Sequence, residues 1–194
     1  MGSYNGGMYQ LLAQREPERW ATPAAHLPVI LSADLGLELI GDGLSRDARR
    51  RVLRAAAGDW LSRLSALPEV EVWISCRRHW EDVACLGLRR WRGATSLDER
   101  EKIPRLFLAL DAPTVPLGYV KTAVDQLRNG GSARVAGPLR EGGCYLWGFG
   151  KGSGTVTLPA WYRILLPGGL QQARLDLLRG CYAPETAQAI RTMA

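Results

Sequence analysis

The chain has 194 residues, 46% hydrophobic and 23% charged, with a formal net charge of +6. That length is most simply one domain, large enough to bury a core without disulfide or metal staples, and the composition excludes disordered and fibrous classes. No apolar run approaches the ~20 residues of a membrane-spanning helix, and the N-terminus lacks a basic-then-apolar leader, so a cytoplasmic protein is expected. The positive charge favours anionic ligands without choosing among nucleotides, phosphates and nucleic acid.

Residues 1–24 are rich in Gly, Pro and polar residues and show no period. A flexible N-terminal arm is expected there, with the folded domain over 25–194. Pro28 to Leu31 is a candidate first strand. Ser45 has the chemistry of a helix N-cap, and Asp47 suits the positive end of the helix dipole. Leu53, Ala56, Trp60, Leu61, Leu64 and Leu67 recur at helical spacing, predicting a helix over 46–66 that Pro68 ends. Val70, Val72 and Ile74 alternate with Glu71 and Trp73, as in a strand. Strand, helix and strand at this spacing predict parallel pairing.

Residues 77–104 are less legible; a short helix or strand at Ala84 to Leu88 is compatible with them. Leu106 to Leu110 is a continuous apolar run, as in a central strand buried on both faces. Pro116 fits a helix start, residues 117–128 a helix, and Asn129-Gly130-Gly131 its stop. Strands are predicted at Arg134 to Ala136 and Cys144 to Phe149, with a Gly137-Pro138 turn between them and a flexible loop at 150–154. Further helices are predicted from Leu170 to Arg179 and from Pro184 to Met193.

Several residues in this frame can carry chemistry. Asp111 ends the central strand, and ligands of open α/β sheets bind at the carboxyl ends of strands. A carboxylate there can hold Mg²⁺ or Mn²⁺; the alternative is an Asp that caps the turn Ala112-Pro113-Thr114. The glycines of Gly137-Pro138 and Glu141-Gly142-Gly143 permit close backbone approach. Glu141 there can meet a metal, a sugar hydroxyl or a nucleophile; the alternative is a wide hairpin turn. Arg77-Arg78-His79-Trp80 and Arg89-Arg90-Trp91-Arg92 can stack on bases and pair with phosphates, but no nucleic-acid-binding signature accompanies them and core-anchored tryptophans are the better reading. The loop Gly150-Lys151-Gly152-Ser153-Gly154 lacks the spacing of a phosphate loop. Cys76, Cys85, Cys144 and Cys181 form no C-x-x-C pair, so reduced thiols rather than a zinc site are expected.

Two stretches together resemble a known family. They are Ala109-Leu110-Asp111-Ala112-Pro113-Thr114-Val115-Pro116 and Ala136-Gly137-Pro138-Leu139-Arg140-Glu141-Gly142-Gly143-Cys144-Tyr145-Leu146. They are similar to the Gly-Ser/Thr-Asp-x-Pro-Thr-Leu-Pro and Leu-Gly-Pro-Ala-Glu-Asp-Gly-Gly-Tyr-Tyr-Leu segments of small bacterial glycosyltransferase-like proteins. These are the radical-SAM/selenodomain-associated transferase type, related to GT-A nucleotide-diphospho-sugar transferases. The resemblance covers residues 28–150. It implies a single three-layer, Rossmann-like GT-A domain with a mostly parallel sheet.

The implied function is nucleotide- or nucleotide-sugar-dependent glycosyl or nucleotidyl transfer to a small-molecule acceptor. Asp111 would hold Mg²⁺ or Mn²⁺ on the diphosphate and Glu141 would act on donor or acceptor. Pro113, Gly137, Pro138, Arg140, Gly142, Gly143 and Tyr145 would line the nucleotide and substrate site. The chain also departs from the pattern. The family's basic Lys-Thr-Arg-Leu segment is replaced by Leu37-Glu38-Leu39-Ile40, and Tyr182-Ala183-Pro184-Glu185 stands where the family has an acidic Asp-x-Asp-Thr-Pro-Glu segment. Arg77, Arg78 or Lys151 are candidates to restore the missing positive charge. The alternative function is a catalytically degenerate GT-A homologue that binds a nucleotide or a protein.

Overall fold

The computed structural model describes residues 26–33, 45–76, 88–91, 103–140, 142–165, 168–178 and 183–192. The N-terminal arm, Glu141, Arg77, Arg78, Cys85, Cys181 and Leu37 to Ile40 lie outside these residues. Among the described residues, the strands form one seven-stranded sheet in the order β3-β2-β1-β4-β6-β5-β7. They are β1 (Leu27–Ser32), β2 (Val70–Ser75), β3 (Arg89–Arg90), β4 (Arg105–Ala109), β5 (Arg134–Pro138), β6 (Cys144–Phe149) and β7 (Thr155–Thr157). Strand β6 runs antiparallel to both its neighbours, β4 and β5. The pairs β1–β2, β1–β4, β2–β3 and β5–β7 are parallel. The expected α/β architecture with a mostly parallel sheet is therefore present, and the carboxyl ends of six strands share an edge with the start of β6.

The central strands are those whose sequences tolerate burial on both faces. Every residue of β1 and of β4 is buried. Helix α1 (Arg46–Leu64) starts where the sequence predicts: the Ser45 hydroxyl accepts a hydrogen bond from the Ala48 amide at 3.2 Å, and Asp47 lies in the first turn. Its buried stripe includes Val52, Leu53, Ala56, Trp60 and Leu64, at the spacing of one helix face. Helix α2 (Leu117–Arg128) follows Pro116 and ends at Asn129, burying Val120, Ala123, Val124 and Leu127. Helices α3 (Gly169–Leu178) and α4 (Pro184–Arg191) complete the described helices. No described helix is long and apolar enough to cross a membrane.

Alternation along the strands gives two apolar clusters. The larger joins Val29, Leu31, Leu106 and Leu108 to Leu53 and Trp60 of α1, Val124 and Leu127 of α2, Ala173 of α3 and Ile190 of α4. The smaller contains Ile30, Trp91, Phe107 and Phe149, with Trp73 and Trp147 packed against it. In register terms Trp73, Ile30, Phe107 and Trp147 form one row across four strands. Trp91 is thus a core anchor. The neighbouring Arg89 is exposed and pairs with Glu71 at 2.8 Å while its guanidinium lies over the Trp73 ring.

The structure adds strands that periodicity does not reveal. The two-residue β3 and three-residue β7 are too short to show a period. Gly137 and Pro138 belong to β5 rather than to a turn, with a register shift between them.

Helix α4 is held from far away in sequence. The buried carboxylate of Asp59, on α1, accepts the Glu185 amide at 3.1 Å and the Thr186 amide at 2.8 Å. These are two of the orphan donors of the first helical turn. The α1 residue thereby acts as the cap that Ala183 cannot be. Asp59→Ala leaves both amides without their acceptor, the Thr186 amide buried, and the expected loss is about 2 kcal/mol. Urea denaturation followed by circular dichroism measures it; an unchanged midpoint would show that the cap is not used.

Candidate functional site

Strand β4 delivers Asp111 to the carboxyl edge of the sheet. The turn after it is closed by backbone bonds, Ala112 N–H to the Ala109 carbonyl at 3.1 Å and Val115 N–H to the Ala112 carbonyl at 3.2 Å. Arg63, in the last turn of α1, donates to the carbonyls of Pro113 and Val115. Pro113 is buried. The Asp111 side chain takes no part in holding this turn. Its Oδ1 accepts from the Nε of Arg163 at 2.6 Å. Asp111 is 1% exposed and Arg163 3%. Asp111 Oδ2 and Arg163 Nη2 are both buried and have no hydrogen-bond partner.

Arg163 arrives on an extended segment, residues 158–164, that leaves β7 and crosses the carboxyl edge as a strap. Leu158 N–H donates to the Ala136 carbonyl at 2.8 Å and Trp161 N–H to the Pro138 carbonyl at 3.0 Å. The Arg140 amide donates to the Trp161 carbonyl at 3.1 Å, and the Ile164 amide to the Asp111 carbonyl at 2.8 Å. The Trp161 indole donates to the Thr114 hydroxyl at 3.2 Å. The strap therefore ties β5 to the turn after β4. Nothing in the sequence flags Arg163: it lies 52 residues from Asp111 in a stretch without a period.

The link between β5 and β6 is a tight turn. Leu139 N–H donates to the Gly143 carbonyl at 3.0 Å and Gly142 N–H to the Leu139 carbonyl at 3.3 Å. Gly142 and Gly143 have φ of +99° and +81°, a region closed to most side chains. These glycines meet a backbone requirement of the hairpin. Arg140 is exposed on the turn. Glu141 lies outside the described residues, so the structure positions only its neighbours.

Tyr145 faces inward and is fully buried. Its hydroxyl donates to the Pro159 carbonyl at 3.1 Å. Its ring lies where a Cβ on Gly137 would fall, 2.4 Å from Tyr145 Cζ, so the glycine makes room for the tyrosine. Gly137 and Tyr145 thus pack together beneath the strap, and Pro138 offers the strap its carbonyl. Lys151 is exposed in the loop after β6. Because β6 is antiparallel, that loop is at the opposite end of the sheet from Asp111, so Lys151 does not supply charge there. Cys76 and Cys144 are free thiols.

The resemblance implies a divalent ion on Asp111, and the arrangement can be tested for it. Among the described residues no group of three or more His, Cys, Asp or Glu is assembled. One Asp111 oxygen is held by a guanidinium, and an ion on the other would lie close to that positive charge. The repulsion is on the order of 4 kcal/mol per unit charge at about 4 Å, even in a screened interior. The described residues do not fit Mg²⁺ or Mn²⁺ at Asp111.

The buried tyrosine gives a pH signature. Burial raises the Tyr145 hydroxyl above its ordinary pKa of 10.0, with Tyr119 and Cys144 adding smaller pushes in the same direction. An acid whose folded pKa is raised contributes stability below its unfolded pKa and loses it as pH climbs past that value. The wild type is expected to lose stability above pH 10.0 more steeply than Tyr145→Phe does. Urea midpoints across that range decide it: parallel curves would mean that the hydroxyl is not sequestered.

No protein-family model matches the chain, and no curated protein is significantly similar to it in sequence. In architecture the chain is similar to a crystal structure from Desulfovibrio desulfuricans, of a protein named as a candidate nucleotide-diphospho-sugar transferase. The TM-score is 0.60 at 17% identity, over 85% of this chain and 94% of that one. At that identity the likeness shows the fold alone: an α/β domain of the GT-A-like kind.

Proposed function

We propose that the chain is a transferase that binds a nucleotide or nucleotide-diphospho-sugar at the carboxyl edge of its sheet and passes a glycosyl or nucleotidyl group to a small-molecule acceptor. The observation that carries this reading is the convergence at one edge of Asp111, the 139–143 turn and the strap. Ligands of open α/β sheets lie at this edge. The GT-A-like fold supports the same reading.

Transfer from a diphosphate needs positive charge where the leaving group develops its own negative charge. Arg140 is the exposed cation of the 139–143 turn, and it takes that role here. Gly142 and Gly143 leave the backbone of the turn open to a ligand. Glu141, its sequence neighbour, is proposed to engage the donor or acceptor. Asp111 binds through its pair with Arg163, and no step is routed through a metal.

A second reading has its own observation. Asp111 is already neutralised and sealed, as in a protein that keeps the fold and binds a nucleotide or a protein without turnover. Binding is common to the nucleotide form of both readings, so turnover separates them: release of nucleoside diphosphate from a bound sugar nucleotide marks the transferase.

Saturating UDP-, GDP-, CDP- or dTDP-sugar is expected to raise Tm by about 5–10 °C for at least one donor. Arg140→Ala is expected to weaken that ligand about tenfold, consistent with loss of a charge-assisted contact. Lys151→Ala, at the far end of the sheet, is expected to leave binding unchanged. A Tm unmoved by every nucleotide would remove the transferase reading.

A further inference from the structure

Three aromatic rings meet where the strap crosses the carboxyl edge. Trp161 and Tyr162 are consecutive on the strap, and their rings stack with centroids 5.7 Å apart and planes 19° apart. Tyr119, in the first turn of α2, meets the Trp161 ring at 6.1 Å and 86°. The three are not equally covered. Tyr162 is 4% exposed and belongs to the core. Trp161 and Tyr119 are half-buried and pack at the margin of that core. Sealing the strap accounts for Tyr162. It does not call for two further rings at the solvent boundary of the edge where ligands of open α/β sheets bind.

The Trp161 ring has a fixed position. Its indole N–H donates to the Thr114 hydroxyl at 3.2 Å. Its amide donates to the Pro138 carbonyl, and its carbonyl accepts from the Arg140 amide. With these polar groups met, the part of the side chain left to solvent is aromatic surface. The neighbouring backbone leaves room beside it. A Cβ added to Gly118, next to Tyr119 in the chain, would meet nothing within 4 Å, and the same holds at Gly142 in the turn that Trp161 bonds. Arg140, Gly142 and Gly143 on that turn are exposed.

A fixed, half-exposed ring beside an exposed guanidinium suits a ligand that joins a ring to phosphate. The ring stacks on the aromatic surface and the phosphate meets the cation. We propose that Trp161, buttressed by Tyr119, is the platform on which a ring of the nucleotide ligand, base or sugar, stacks. The identity of that ligand rests on the proposed function. Trp161 is then a binding residue that acts without charge.

The test is isothermal titration of the full chain with UDP-, GDP-, CDP- and dTDP-sugars and with the matching nucleoside diphosphates. Trp161→Ala is expected to weaken the best sugar nucleotide about tenfold or more, as for a lost stacking contact. Trp161→Phe keeps a ring but lacks the indole N–H, and is expected to recover most of that loss. Equal weakening of the sugar-free diphosphate identifies the stacked ring as the base; weakening confined to the sugar nucleotide identifies it as the sugar. Wild-type tryptophan emission is expected to be quenched on binding, and Trp161→Phe to lose most of that quench. If Trp161→Ala binds like wild type while Arg140→Ala binds weakly, the platform is overturned and the transferase reading stands. If Trp161→Phe is as weak as Trp161→Ala, the hydrogen bond to Thr114 matters rather than stacking, and the platform is again overturned. If no nucleotide binds the wild type, the transferase reading fails and the platform fails with it. Should Trp161→Ala not fold, the quench decides: an equal quench in wild type and Trp161→Phe overturns the proposal.

Discussion

Placing a carboxylate and a guanidinium together out of water costs several kcal/mol per ion before their attraction is counted. The sheet edge carries that cost because Asp111 and Arg163 each solve the other's problem, and because the pairing joins elements 52 residues apart. Strand β4 cannot present Asp111 without a counter-charge, and the strap has no other ionic hold on β4 in the described hydrogen bonds. The remaining strap bonds are backbone contacts to Ala136, Pro138, the Arg140 amide and the Asp111 carbonyl, together with the Trp161 indole on Thr114 and the Tyr145 hydroxyl on Pro159. They set the path of the strap. The ion pair and the Ile164 amide on the Asp111 carbonyl fix where it ends. Removing one partner alone would strand a buried charge, at about 3–5 kcal/mol.

Around that constraint the edge is built in two layers. The inner layer is apolar and tightly fitted: the Tyr145 ring fills the space that Gly137 leaves, and its hydroxyl reaches the Pro159 carbonyl. The outer layer is the 139–143 turn, where Gly142 and Gly143 occupy backbone conformations with positive φ and Arg140 projects to solvent. Residues that read alike in a motif thus do different work. Gly137 is small so that a neighbour can be large, whereas Gly142 and Gly143 are small so that the chain can reverse.

Much of the frame was legible in the sequence because local chemistry sets it. Ser45, Asp47 and the Leu53-to-Leu64 stripe mark α1, and the unbroken apolar run from Leu106 marks β4, since a strand between two others has no polar face to show. What escaped depends on distant partners. Thr155-Val156-Thr157 becomes a strand only because β5 lies beside it, and Gly137-Pro138 extends β5 because the strap and β6 supply its bonds. Asp59 has no local sign of being the cap of a helix 126 residues away. Asp111 was recognisable as a strand-end acid, but its two sequence readings, metal ligand and turn cap, both lacked the partner that decides its chemistry. Arg163 has neither period nor motif.

The two arginines of the edge then divide the electrostatic task. Arg163 is spent on Asp111, so that pair is neutral and directs hydrogen bonds rather than net charge. Arg140 is exposed and sits on the turn that would face a diphosphate. A metal-dependent site places orientation and charge neutralisation in a single ion. In this chain the buried pair would hold the edge together while a surface cation would face the proposed diphosphate. The two functions should therefore respond differently to salt. Contacts through Arg140 weaken as ionic strength rises, because a surface charge is screened within about 10 Å at 0.1 M. The buried Asp111–Arg163 pair is much less screened. A nucleoside diphosphate bound mainly through phosphate would then lose affinity in salt, while the hold of the Asp111–Arg163 pair on the strap would persist.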